Sequence, residues 1–138
     1  MMTAAPIGPP IPMQARELLS SSARGLLEAY TLPEPTLRYS TAHLAALRAA
    51  AAVLAARATP GRRGIRSVWA LLPGVAPGLQ EWATFFAASA TKRAAADAGL
   101  PVVSHREADD LLRDAELFLS QVVTLLGIDQ QGILADRP

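Results

Sequence analysis

Proline and glycine punctuation limits most strongly what this 138-residue chain can fold into. Pro33 and Pro35, Pro60-Gly61, Pro73-Gly74, Pro77, and Gly99 with Pro101 cut the chain into segments. A residue ahead of proline avoids the helical region, and glycine readily ends a helix. Between the cuts little can form a strand. No segment alternates β-branched with polar residues, and Pro101-Val102-Val103 is too short. The intervals are filled instead by alanine, 28 residues of it, the best helix former and one that loses no rotamer freedom on folding. The segments therefore read as helices.

The first helix is expected over residues 13–30, with Ala15, Leu18, Leu19, Leu26 and Leu27 on its apolar side. Ser20, Ser21, Ser22 and Gly25 weaken its middle. Thr36 reads as the N-cap of a second helix reaching residue 58, with a seam of Leu37, Leu44, Leu47, Ala51, Leu54 and Ala58. A short helix follows over 67–72, halted by Pro73-Gly74. Pro77 suits the first position of a third long helix over 77–98, with Gly99 as its stop. Ser104-His105-Arg106-Glu107 is a capping box opening a fourth long helix that continues to residue 126, with Gly127 at C′. This last helix carries Leu117, Phe118, Leu119, Val122, Val123 and Leu125, more apolar surface than one stripe needs. It is expected to lie centrally or against a partner chain. Trp82, Phe85 and Phe86 on the third long helix read first as core. The expected architecture is all-α, an up-and-down bundle of four to five helices over 13–127. A disordered Pro-rich tail is expected at 1–12 and a flexible tail at 128–138.

The absence of cysteine excludes disulfides, thiolate metal sites and a cysteine nucleophile. A net charge of +1 excludes a strong whole-molecule field for nucleic acid but leaves room for a local patch. No phosphate-binding glycine loop, zinc motif or nucleophile elbow is present. The carboxylates Glu107, Asp109, Asp110, Asp114 and Glu116 read as surface pairings, Asp109 with Arg113 and Arg106 with Asp110. No metal and no other cofactor is expected, since no nucleotide motif accompanies them. The first 13 residues lack the basic and apolar runs of a secretory signal. The apolar run 49–56 falls well short of the roughly 20 residues that cross a bilayer. A cytoplasmic protein without membrane association is expected.

Acid–base chemistry near neutral pH rests on two histidines, His43 and His105. Arg38 precedes His43 by five residues, about 140° around a helix, so the two share no face. Arginine is long enough to reach round, and pairs from two chains can converge across a symmetric dimer. A neutral imidazole would then take the proton of a ribose 2′-hydroxyl while guanidinium groups hold the phosphate. The other reading makes His43, one turn before Leu47, a residue that lines the edge of the bundle and satisfies a polar neighbour. His105 reads as an exposed residue of a capping turn. Arg57, Arg62, Arg63 and Arg66 form a basic loop suited to phosphate oxygens, hence a candidate RNA-binding surface, or else a solubilising loop.

The segment Tyr39-Ser40-Thr41-Ala42-His43-Leu44-Ala45-Ala46-Leu47-Arg48-Ala49, followed by an Ala/Leu helix, resembles the second helix of HEPN domains. With Glu81-Trp82-Ala83-Thr84-Phe85-Phe86 and Arg106-Glu107-Ala108-Asp109-Asp110-Leu111-Leu112, the chain looks like a branch of that superfamily found in high-GC Gram-positive bacteria. The likeness covers about residues 15–126. It implies a helical bundle that often dimerises, here through the third or fourth long helix. Many members are metal-independent ribonucleases with an arginine four to six residues ahead of a histidine, a motif that Arg38 and His43 would fill. Others are inactive nucleic-acid or nucleotide-binding partners, and an adjacent nucleotidyltransferase is worth seeking. The resulting expectation is a domain that binds RNA or a nucleotide-associated partner, with endoribonuclease activity in reach. The alternative is a non-catalytic dimeric protein-interaction module.

Overall fold

A computed structural model describes residues 11–57 and 67–128 of the chain. It contains α1 (Met13–Thr31), α2 (Pro35–Arg57), α3 (Val68–Val75), α4 (Gln80–Asp97) and α5 (His105–Leu126). A 3₁₀ turn, Pro77–Leu79, leads into α4. The third and fourth long helices expected from sequence are α4 and α5. No strand occurs among the described residues, and the all-α expectation holds.

Most helix ends follow the local signals. Ser104 Oγ accepts from the Glu107 amide, and the Glu107 carboxylate accepts from the Ser104 amide, closing the capping box. Gly99 (φ 85°) and Gly127 (φ 75°) take the left-handed conformation that ends α4 and α5. Two expectations need correction. Glu34, not Thr36, caps α2: its carboxylate accepts from the Leu37 amide at 2.9 Å. Pro35 takes the first helical position, where a missing N–H costs nothing. The short helix does not stop at Pro73 but runs on to Val75. Pro73 removes a single donor, and the Ala76 amide still bonds the Leu72 carbonyl at 2.9 Å.

The centre of the bundle is α2, packed by α1, α3, α4 and α5. Its buried residues are mainly Ala42, Ala45, Ala46, Ala49, Ala50 and Ala52, with Tyr39, His43, Val53 and Leu54. A helix enclosed by four others is best accommodated by small side chains, which let the axes approach closely. The expected leucine seam is therefore displaced: Leu37 is 55% exposed, and Leu44, Leu47 and Ala51 are half-buried. Leu27 of α1 is likewise exposed. The α1–α2 crossing is the tightest point. Ser22 Oγ donates to the Ala45 carbonyl at 2.6 Å, and a Cβ on Gly25 would stand 3.3 Å from Ala45 Cβ. The serines and glycine that weaken α1 as an isolated helix thus admit its neighbour.

α5 is not the central element. It turns one stripe to the core, including Leu111, Leu112, Phe118, Leu119 and Val122, while Leu117 is 51% exposed. Phe86 of α4 gathers Trp69, Trp82 and Phe118 around it, with ring centroids 5.0, 5.7 and 5.2 Å away. Polar ties at the rim join α5 to its neighbours. Arg38 pairs with Asp109, Tyr30 donates to Glu116, the Trp82 indole donates to Gln121, and Lys92 pairs with Glu107. Asp109 therefore serves α2 rather than Arg113, which pairs with Asp110.

Of the expected tails, residues 1–10 and 129–138 lie outside the described residues. Ile11 packs against the core and Ile128 is buried on it. The Ile128 amide bonds the Val123 carbonyl at 3.0 Å, and that of Gly127 bonds Thr124, so both belong to the cap of α5.

Candidate functional site: a buried histidine, a clasping arginine and an open groove

His43 sits in the third turn of α2, directed at α4. Its Nε2 lies 3.0 Å from the Phe86 carbonyl oxygen. A carbonyl only accepts, so Nε2 carries the proton and Nδ1 holds a lone pair. Nδ1 is buried with no hydrogen-bond partner among the described residues. The ring meets Trp69 and Phe86 edge-on, at 6.1 and 5.8 Å between centroids, and the residue is 1% exposed. Burial lowers the imidazole pKa below its ordinary value, and the Phe86 carbonyl opposes this more weakly. The neutral ring is the resting form.

Arg38 lies on the rim. Its Nε donates to the Ala29 carbonyl at 3.1 Å, Nη2 to the Tyr30 carbonyl at 3.2 Å, and Nη1 to Asp109 at 2.5 Å. A guanidinium here binds carbonyls of the last turn of α1, that of Ala29 also accepting the Leu32 amide, and its charge complements the helix dipole. Arg38 also borders a shallow polar cleft with Tyr30, Asp109, Arg113 and Glu116. Among the described residues Arg38 and His43 share no hydrogen-bond partner, and His43 does not line the cleft beside Arg38. Arg57 is exposed and donates to the Val75 carbonyl at 3.1 Å, closing the end of α3. Arg62, Arg63 and Arg66 lie outside the described residues. His105 stands exposed at the first position of α5.

Sequence reasoning missed a groove between α4 and α5. Gly78, Glu81, Trp82, Phe85, Asp114 and Gln121 enclose about 480 Å³ of it. An apolar extension of about 350 Å³ runs on past Leu79 to Thr124 and Leu125. Trp82 is half-buried with its indole N–H held by Gln121 at 2.8 Å, and Phe85 is 38% exposed. Burial raises the Asp114 pKa, and the Asp110 carboxylate adds to this. The available signal was spacing: Glu81 and Phe85 are four apart on α4, and Asp114 and Gln121 seven apart on α5.

Among the described residues no cluster of three or more His, Asp and Glu side chains is arranged to hold a metal ion. No described helix is long and apolar enough to cross a membrane. Comparison with curated proteins and with solved structures finds no match. The family that does match, described as SAV_6107-like HEPN, spans residues 29–123, from the end of α1 to the last turns of α5. With more than half its length matched, and an all-helical bundle around α2, the chain belongs to the SAV_6107-like HEPN family.

Proposed function

We propose that this HEPN domain is a non-nucleolytic interaction module that binds a protein partner through its helix surfaces. The observation that supports this reading is the seat of His43. A general base must come within about 3 Å of the hydroxyl it deprotonates. His43 is 1% exposed, its Nε2 is engaged by the Phe86 carbonyl, and its Nδ1 is buried with no partner among the described residues. Arg38 commits three of its five N–H groups to the chain itself. In this reading both residues hold the fold. The surface offers apolar area instead: Phe85 on α4, and Leu117 and Leu125 on α5. These are the helices on which the sequence led us to expect a partner contact, with a second copy or a nucleotidyltransferase as the candidates.

The test is RNA cleavage in EDTA by the parent, Arg38→Ala and His43→Leu. The expected outcome is no cleavage by any of the three. Cleavage by the parent that both variants lose, with helical circular dichroism intact, would overturn the reading and restore Arg38 and His43 as a catalytic pair. RNA retention without cleavage, abolished by replacing Arg57, Arg62, Arg63 and Arg66 with alanine, would transfer the binding role to the basic loop.

A further inference from the structure

We propose that the α4–α5 groove receives an arginine or lysine side chain carried on an apolar segment of a protein partner. This deepens the interaction-module reading and rests on it. The argument begins with charge. α5 carries five carboxylates, and four have partners: Glu107 with Lys92, Asp109 with Arg38, Asp110 with Arg113, and Glu116 with the Tyr30 hydroxyl. Asp114 alone has neither an ion pair nor a hydrogen bond among the described residues, although it is half-buried. Glu81, across the groove on α4, likewise has no ion pair or side-chain hydrogen bond among the described residues. Arg113 acts on Asp114 less than burial and the Asp110 charge do, so the carboxylate stays destabilised, and an arriving cation relieves that cost.

The second part is the aromatic corner. The Trp82 and Phe85 rings meet at 81° with centroids 6.2 Å apart, beside the two carboxylates. A guanidinium or ammonium placed there meets the negative face of a ring and a carboxylate together, an arrangement that favours cations. The third part is the apolar extension past Leu79 to Leu125. From Asp114 to Leu125 the groove follows α5 for roughly 16 Å, room for about three turns of helix. No basic side chain lines either part. The occupant therefore carries one cation near apolar residues. Phosphates are repelled. A symmetric dimer that buried groove on groove would set four carboxylates against one another, since such an interface places the same patch on both subunits.

Two synthetic helical peptides of about 12 residues test this, identical and leucine-rich except for one position that is arginine in the first and glutamine in the second. Fluorescence anisotropy of the labelled peptides reads binding to the full chain. The arginine peptide is expected to bind about tenfold tighter, with the preference shrinking as salt is raised. Glu81→Gln combined with Asp114→Asn should erase the preference. The same variant should melt within a few degrees of the parent, since neither carboxylate pairs among the described residues and Glu81 gives up only its place in the first turn of α4. Equal binding of the two peptides, or no binding up to millimolar concentration, overturns the proposal. So does a dimer in sedimentation that Phe85→Ser dissolves, because a second copy then fills the groove. None of these outcomes bears on RNA cleavage, so the two readings fail separately.

Discussion

Acidification interrogates the core through His43. In the unfolded chain its imidazole titrates near 6.5, and in the fold burial keeps its pKa lower. Between those two values the unfolded chain holds a proton that the native chain does not, so stability rises with pH there and is lost as pH falls. One such proton gives a limiting slope of about 1.4 kcal/mol per pH unit, which vanishes below the native pKa. Of the charged groups around the ring, Arg93 deepens the effect and Asp97 opposes it. Urea unfolding followed by far-UV circular dichroism from pH 8 to pH 5 measures the slope. Ordinary unfolded carboxylates contribute little in that range. Asp114, with its carboxyl pKa held up by burial, acts with the opposite sign, and comparison with His43→Leu subtracts it. At pH 8 that variant should lie within about 1 kcal/mol of the parent, because it loses one hydrogen bond but also an unpartnered nitrogen. Its slope should lie below the parent's by the His43 contribution. Parent and variant slopes that coincide refute the account of His43 as a buried neutral ring.

Gly25→Val should cost about 1–3 kcal/mol in thermal unfolding, because the new branch meets Ala45 across the α1–α2 crossing; an unchanged midpoint would contradict that approach. Ser104→Ala should cost about 1 kcal/mol and Ser104→Asp much less, since aspartate also caps; equal losses would deny the capping box its role. Arg38→Lys should melt nearly as low as Arg38→Ala, about 1–2 kcal/mol below the parent. Lysine keeps the charge but not the fork that reaches Ala29 and Tyr30. Full rescue by lysine would mean that the half-exposed pair with Asp109, rather than the carbonyl contacts, carries the effect.

Features decided by neighbouring residues were legible in the sequence. Gly99, Gly127 and the Ser104–Glu107 box act within a single turn, and each ends or begins a helix as expected. Pro73 misled because a proline removes one donor, not a whole turn. Burial was harder to read. Alanine covers α2 on most sides, so its hydropathy does not distinguish the face toward α1 from that toward α4, and the leucines drew attention to flanks that turned out half-buried. The candidate site was least legible. His43 finds its partner 43 residues away, and Arg38 finds Asp109 71 residues away. Spacing along one helix cannot supply such contacts. The groove is a gap between two helices, and no stretch of sequence encodes a gap.

The rim of α5 has a consequence for how this helix finds its place. Methyl-lined stripes on α2 and α5 repeat every turn, so a slide of one turn would preserve much of their adhesion. The polar ties would not survive it. Glu107, Asp109, Glu116 and Gln121 all accept, and Lys92, Arg38, Tyr30 and Trp82 all donate, at unevenly spaced positions along the helix. Displaced by a turn, these acceptors would leave their donors, and several would come to face methyl groups. Individually weak at the surface, the four ties thus act together as a vernier, selecting one alignment from a set that packing alone would leave nearly degenerate.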